Sequence, residues 1–81
     1  MYYIFAFRSR TGAMRFFEAL NRERIVASLI NTPKGIGIGC GLSVKVFDLS
    51  AGKRVISGGY GSFHGVYMAE SSNNVVRYTR V

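Results

Sequence analysis

The sequence predicts one α+β domain, and three observations predict it. Short β-branched and aromatic runs stand near both ends of the chain. Between them lies one segment with a clear helical period and another with a weaker one. With 81 residues, the chain has room for one thin core, and a composition 48% hydrophobic and 14% aromatic can fill it.

The first run, residues 2–7, reads YYIFAF. It is apolar on both faces, as a central strand is. Ser9 or Thr11 then offers a hydroxyl to the free amides of a helix start. Over residues 12–22, Ala13, Phe16, Phe17 and Leu20 recur at i, i+3, i+4 and i+7, which is one helical stripe. Residues 25–31 return to strand composition, and Thr32-Pro33 ends that strand because proline cannot donate to a ladder. A third strand is expected over residues 42–47. Asp48 or Ser50 can start a short second helix that runs to about Ser57 and stops at Gly58-Gly59. A β-rich loop over residues 50–60 is the competing reading. A fourth strand over residues 62–70 and a fifth over 75–81 flank Ser71-Ser72-Asn73-Asn74, a hairpin turn by composition. The order β-α-β-β-α-β with a further C-terminal hairpin strand predicts a ferredoxin-like sandwich, both helices on one side of the sheet.

Eleven Lys and Arg against four Asp and Glu give a net charge of +7. Such a surface attracts anions, although the cations are scattered rather than gathered in a basic tail. A single cysteine excludes an internal disulfide framework. The opening apolar run is too short for a signal-peptide core, and no stretch approaches the ~20 apolar residues of a membrane span. A cytoplasmic protein with no membrane contact is the expectation.

Residues 34–41 read KGIGIGCG, with glycine at 35, 37, 39 and 41. Glycine at that density favours a loop of unusual dihedrals over a strand. Cys40 sits inside it. A thiol is a nucleophile only as thiolate, and cations and backbone amides lower its pKa. Gly39 and Gly41 leave the sulfur uncrowded, and their amides can form an anion-holding nest. Lys34 and Lys45 are near in sequence and add positive potential. The competing reading is a small buried hydrophobe. The run matches neither a dinucleotide fingerprint nor a P-loop. His64, the lone histidine, forms no metal set with Cys40, and sequence does not decide whether the two meet as nucleophile and base. Glu18, Glu23, Asp48 and Glu70 show no catalytic spacing.

Exposed aromatics on a ferredoxin-like sheet are how some RNA-binding modules stack bases. Tyr3, Phe5, Phe7, Phe47, Phe63 and Tyr67 are the candidates for such a face. The basic-aromatic signature run is absent, which favours core or dimer contacts for these rings.

The strand ending at Phe7 and Ser9, the helix residues Ala13 and Leu20, the Pro33-Lys34 pair and Cys40-Gly41-Leu42 together resemble the selenium/sulfur carrier protein-like family. The resemblance covers the first half to two thirds of the chain. It implies that Cys40 holds sulfur or selenium as a persulfide or selenosulfide and passes it between donor and acceptor proteins, with no cofactor. That makes a carrier or binding protein the expectation rather than a turnover enzyme. Two other readings stand beside it: a module that binds RNA or another polyanion, and a regulatory domain that forms homodimers through an open sheet edge.

Overall fold

A computed structural model of the chain describes residues 1–37 and 41–81. Its elements are β1 (Tyr2–Phe7), α1 (Arg10–Arg22), β2 (Ala27–Asn31), β3 (Leu42–Val46), α2 (Leu49–Ile56), β4 (Phe63–Ser72) and β5 (Val75–Arg80). They form one five-stranded sheet in the order β2-β3-β1-β4-β5, every neighbouring pair antiparallel. The first four strands follow the ferredoxin-like order, and β5 extends the sheet beyond β4. The α+β expectation holds, and so does the second helix: the β-rich alternative for residues 50–60 is replaced by α2.

Local chemistry fixes the ends of these elements. Ser9, in an extended conformation (φ −130°, ψ 148°), accepts from the Gly12 amide at 3.2 Å and caps α1, so the helix starts before residue 12. At the other end Arg24 turns left-handed at φ 60°. The Ile25 amide then donates to the Leu20 carbonyl at 2.9 Å and the Arg24 amide to Asn21 at 3.0 Å. That double bond pattern is a Schellman stop. It uses Ile25 to close the helix, which is why β2 begins at Ala27 and not at 25. Asp48 caps α2 through the Ala51 amide at 3.1 Å. The last hairpin is tighter than its composition suggests. Ser71 and Ser72 pair with Val76 and Val75, leaving Asn73 and Asn74 (φ 51° and 64°) as a two-residue turn. Asparagine tolerates that left-handed backbone.

The sheet has two unlike faces. Phe5, Phe7, Val44, Val46 and Val66 point toward the helices and pack with Ala13, Phe16, Leu20 and Val55. Phe16 stacks 5.0 Å from Phe5 and 5.5 Å from Phe7, ring centre to ring centre. Each of these three rings is fully buried, contributing about 1.5–3 kcal/mol by removal from water. The opposite, open face carries Tyr2, Ile4 and Ala6 of β1 with Tyr67 and Ala69 of β4. Ile36, 9% exposed, lies on it from the β2–β3 connection.

Candidate functional site

The connection from β2 to β3 is the glycine-rich segment, and its described residues show how it is held. At its base the Thr32 amide donates to the Gly41 carbonyl at 2.8 Å. The Thr32 and Ser43 hydroxyls meet at 2.6 Å, which satisfies the fully buried Ser43 side chain. From there the chain folds onto the open face. The Ile36 amide closes a turn on the Pro33 carbonyl at 3.0 Å. Ile36 then packs among Ile4, Ala6 and Ala69, with Tyr2, Ile30, Tyr67 and Tyr78 around them. Gly35 passes so close to Tyr78 that a Cβ there would stand 2.9 Å from the ring. Gly37 and Gly41 have φ of 71° and 79°, left-handed values at which a side chain is strained. Residues 33–37 are therefore a strap anchored by one isoleucine.

Of the expected site residues, Cys40 and Gly39 lie outside the described residues. Lys34 is exposed at the start of the strap, and Gly41 is exposed at its return. Lys45 is drawn the other way. Its ammonium lies 4.4 Å from the centre of the Tyr2 ring and 5.1 Å from that of Phe47. Those rings stand at the far end of β3, about 20 Å along the strand from Gly41.

The end of the sheet near Gly41 has cations of its own. Arg8 follows β1 and Gly41 precedes β3 at the same end of their ladder. His64 is there too, for Phe7 pairs with Phe63 and Ala6 with Gly65, leaving His64 as the extra residue of a β-bulge. His64 Nε2 is 3.0 Å from the Tyr67 hydroxyl, while its buried Nδ1 has no hydrogen-bond partner among the described residues. Arg80 donates to the His64 carbonyl at 2.9 Å, and its guanidinium lies 5.9 Å from the Tyr67 ring centre. Partial burial, then the charges of Arg80 and Arg8, lower the His64 pKa below its ordinary 6.5. At neutral pH the imidazole is therefore uncharged. At the other end of the face, beside Tyr2, burial raises the Tyr78 phenol above 10.0, and the charge of Tyr2 and a hydrogen bond with it act in the same direction.

The aromatic face expected from sequence is corrected. Tyr3, Phe5, Phe7 and Phe63 point to the helix side, where Phe63 stacks 5.5 Å from Phe7 and 6.1 Å from Phe5. Of the expected rings the open face keeps Phe47 and Tyr67, and it adds Tyr2 and Tyr78, with Phe47 edge-on to Tyr2 at 6.4 Å. Alternation in β1 was the signal that could have found Tyr2. Only the β4–β5 register reveals Tyr78 and Arg80. Among the described residues no three His, Cys, Asp or Glu side chains are grouped to hold a metal. No helix among them is long and apolar enough to cross a membrane.

The architecture defines a ferredoxin-like α+β domain with a glycine loop strapped across its open face. Its sequence matches the family model described as "Putative Se/S carrier protein-like" over residues 2–67, and the chain belongs to that family. The match ends within β4 and leaves out β5. Neither the curated proteins nor the solved structures yield a match.

Proposed function

We propose that this domain carries sulfur or selenium on Cys40. The observation that carries the reading is the family match, which spans the chain's single cysteine. The strap geometry supports it: left-handed glycines stand on both sides of residues 38–40, and the base is pinned between Thr32 and Gly41.

In the loading step the Cys40 thiolate attacks the terminal sulfur of a donor persulfide. The donor's sulfur–sulfur bond breaks, the donor leaves as a thiolate, and Cys40 holds the persulfide. An acceptor nucleophile then attacks that terminal sulfur and releases the Cys40 thiolate. Both steps exchange one bond to sulfur for another, so no outside oxidant or reductant is consumed. A selenosulfide follows the same accounting. Lys34 and the amides of Gly39 and Gly41 stabilise the anion, with Lys45 acting at longer range. Arg8 and Arg80 add positive potential at the end of the sheet where the loop returns. The partners are donor and acceptor proteins, and the domain works in the reducing cytoplasm, where a single thiol persists.

Intact-mass measurement after incubation with glutathione persulfide tests the reading. One added sulfur on the wild type, absent from Cys40→Ser and removed by a thiol reductant, is expected. A Cys40 that stays unmodified by persulfide and by iodoacetamide until the protein is denatured would refute it.

A further inference from the structure

We infer that the open face of the sheet binds single-stranded RNA. Four rings and two cations lie on it in register. One row runs Ser28, Lys45, Ile4, Tyr67, Arg80 across all five strands. The row beside it holds Tyr2, Ala69 and Tyr78, with Phe47 next to Tyr2. Lys45 and Arg80 are thus three strand spacings apart, about 14 Å. Each is held over an aromatic ring rather than by a carboxylate.

The charge of this face is one-signed for a structural reason. The chain has only four side-chain carboxylates, Glu18, Glu23, Asp48 and Glu70. Glu18 is on α1, Glu23 is paired with Arg54 at 2.6 Å, and Asp48 caps α2. Glu70 follows Ala69 in β4, so strand alternation turns it to the helix side. No side-chain carboxylate remains to neutralise Lys45 or Arg80. Arg8 and Lys34 extend the same potential at the rim.

A one-signed positive face selects a polyanion. The rings select among polyanions. Phe47 is 53% exposed beside the Lys45 ammonium, so a base can stack on it while the ammonium meets a phosphate. Every base has a π-face, so such stacking serves single strands of any sequence. An acidic protein segment has no use for the ring. The strap passes over the middle of the face through Ile36 and leaves a cation–aromatic pair on each side, an arrangement that a flexible strand can follow more readily than a rigid duplex. Tyr78 and Arg80 come from β5, outside the family match, so one of the four rings and one of the two cations lie beyond the matched residues.

The test is fluorescence anisotropy with a labelled, mixed-sequence single-stranded RNA, titrated at several salt concentrations. Two charge-matched double variants are compared, K45A/R80A and R15A/R22A, the latter on the exposed side of α1. Each phosphate contact contributes roughly 0.7 to the salt slope for single strands, so K45A/R80A lowers that slope by about 1.4 and R15A/R22A leaves it unchanged. Phe47→Ala, which keeps the charge, weakens binding roughly ten-fold. Backbone amide shifts in the wild type, needing no variant, move at Tyr2, Lys45, Phe47, Tyr67 and Arg80 and stay still on the helices. Cys40→Ser binds as the wild type does, which separates this surface from the carrier reading. Equal losses in the two double variants, an unaffected Phe47→Ala, or no binding at low salt would overturn the inference. So would polyglutamate of matched length competing as well as RNA, which would assign the face to an acidic protein.

Discussion

Helix α2 approaches the sheet through a glycine, and that approach can be tested by one methyl group. A Cβ on Gly52 would stand 2.5 Å from Cζ and 2.8 Å from Cε1 of Phe5. The ring cannot swing aside. It is fully buried, with Phe16 at 5.0 Å and Phe63 at 6.1 Å. Forcing a methyl into such a site costs about 1–3 kcal/mol. Alanine returns up to about 1 kcal/mol through its better helix propensity and the lower entropy of the unfolded chain. The net for Gly52→Ala is a loss of about 1–2 kcal/mol. In a domain of this size that lowers Tm by roughly 5–15 °C. Urea unfolding followed by far-UV circular dichroism reads the change. A double-mutant cycle locates it. Phe5→Leu shortens the ring and makes room, so the double variant is more stable than the sum of the two single losses by about 1 kcal/mol. A neutral or stabilised Gly52→Ala, or strict additivity with Phe5→Leu, would mean that α2 does not rest on Phe5.

Three further outcomes are expected. Ile36→Ala removes the anchor of the strap and costs about 2 kcal/mol, the low end for a buried isoleucine because it keeps 9% of its surface exposed; hydrogen exchange of the residue 36 amide, bonded to Pro33, accelerates with it. Arg24→Gly relieves a left-handed residue at the end of α1 and raises stability by about 1 kcal/mol in urea unfolding; no gain would show that the Schellman stop carries no strain. His64 is held neutral in the fold by its partial burial, Arg80 and Arg8, so its folded pKa lies below 6.5. The unfolded chain binds the extra proton first, and the stability His64 contributes is complete above 6.5 and falls as pH drops from there toward the folded pKa. Thermal melts across that window show the decline for the wild type and a flatter profile for His64→Gln, and identical profiles would remove the claim.

The elements were legible because their signals are local. The three-then-four spacing of Ala13, Phe16 and Leu20 sets α1, and Asp48 with Gly58-Gly59 brackets α2. The strap was only partly legible. Glycines at 37 and 41 do take left-handed values, as their density suggested. The docking of Ile36 on the far side of β1 depends on contacts with Ile4, Ala6 and Ala69, thirty or more positions away along the chain, and no local pattern encodes it. Lys45 was legible as a cation near Cys40 in sequence. Its preference for the rings of Tyr2 and Phe47 depends on which end of β3 it leans toward, which only the packed sheet decides.

The aromatic face shows how one residue can defeat a correct rule. Strict alternation puts Phe63 and Tyr67 on the same side of a strand, because they are four positions apart. They lie on opposite sides. The bulge at His64 inserts one residue between the pairs Phe7–Phe63 and Ala6–Gly65 and reverses the parity of β4 at that point. Phe63 thereby packs against Phe5 and Phe7 on the helix side, 36% exposed at its edge, and Tyr67 stays on the open face beside His64 and Arg80. The same inserted residue brings the lone histidine to the end of the sheet where Gly41 and Arg8 stand. The bulge thus settles two things together: which rings can meet a ligand, and which polar groups surround the return of the glycine loop. Deleting His64 would set Phe63 directly before Gly65, three positions from Tyr67, so plain alternation would then hold Phe63 on the helix side opposite Phe7 and Tyr67 on the open face; a deletion variant in which Phe63 loses its contact with Phe7 would show that the two faces are not set by this bulge.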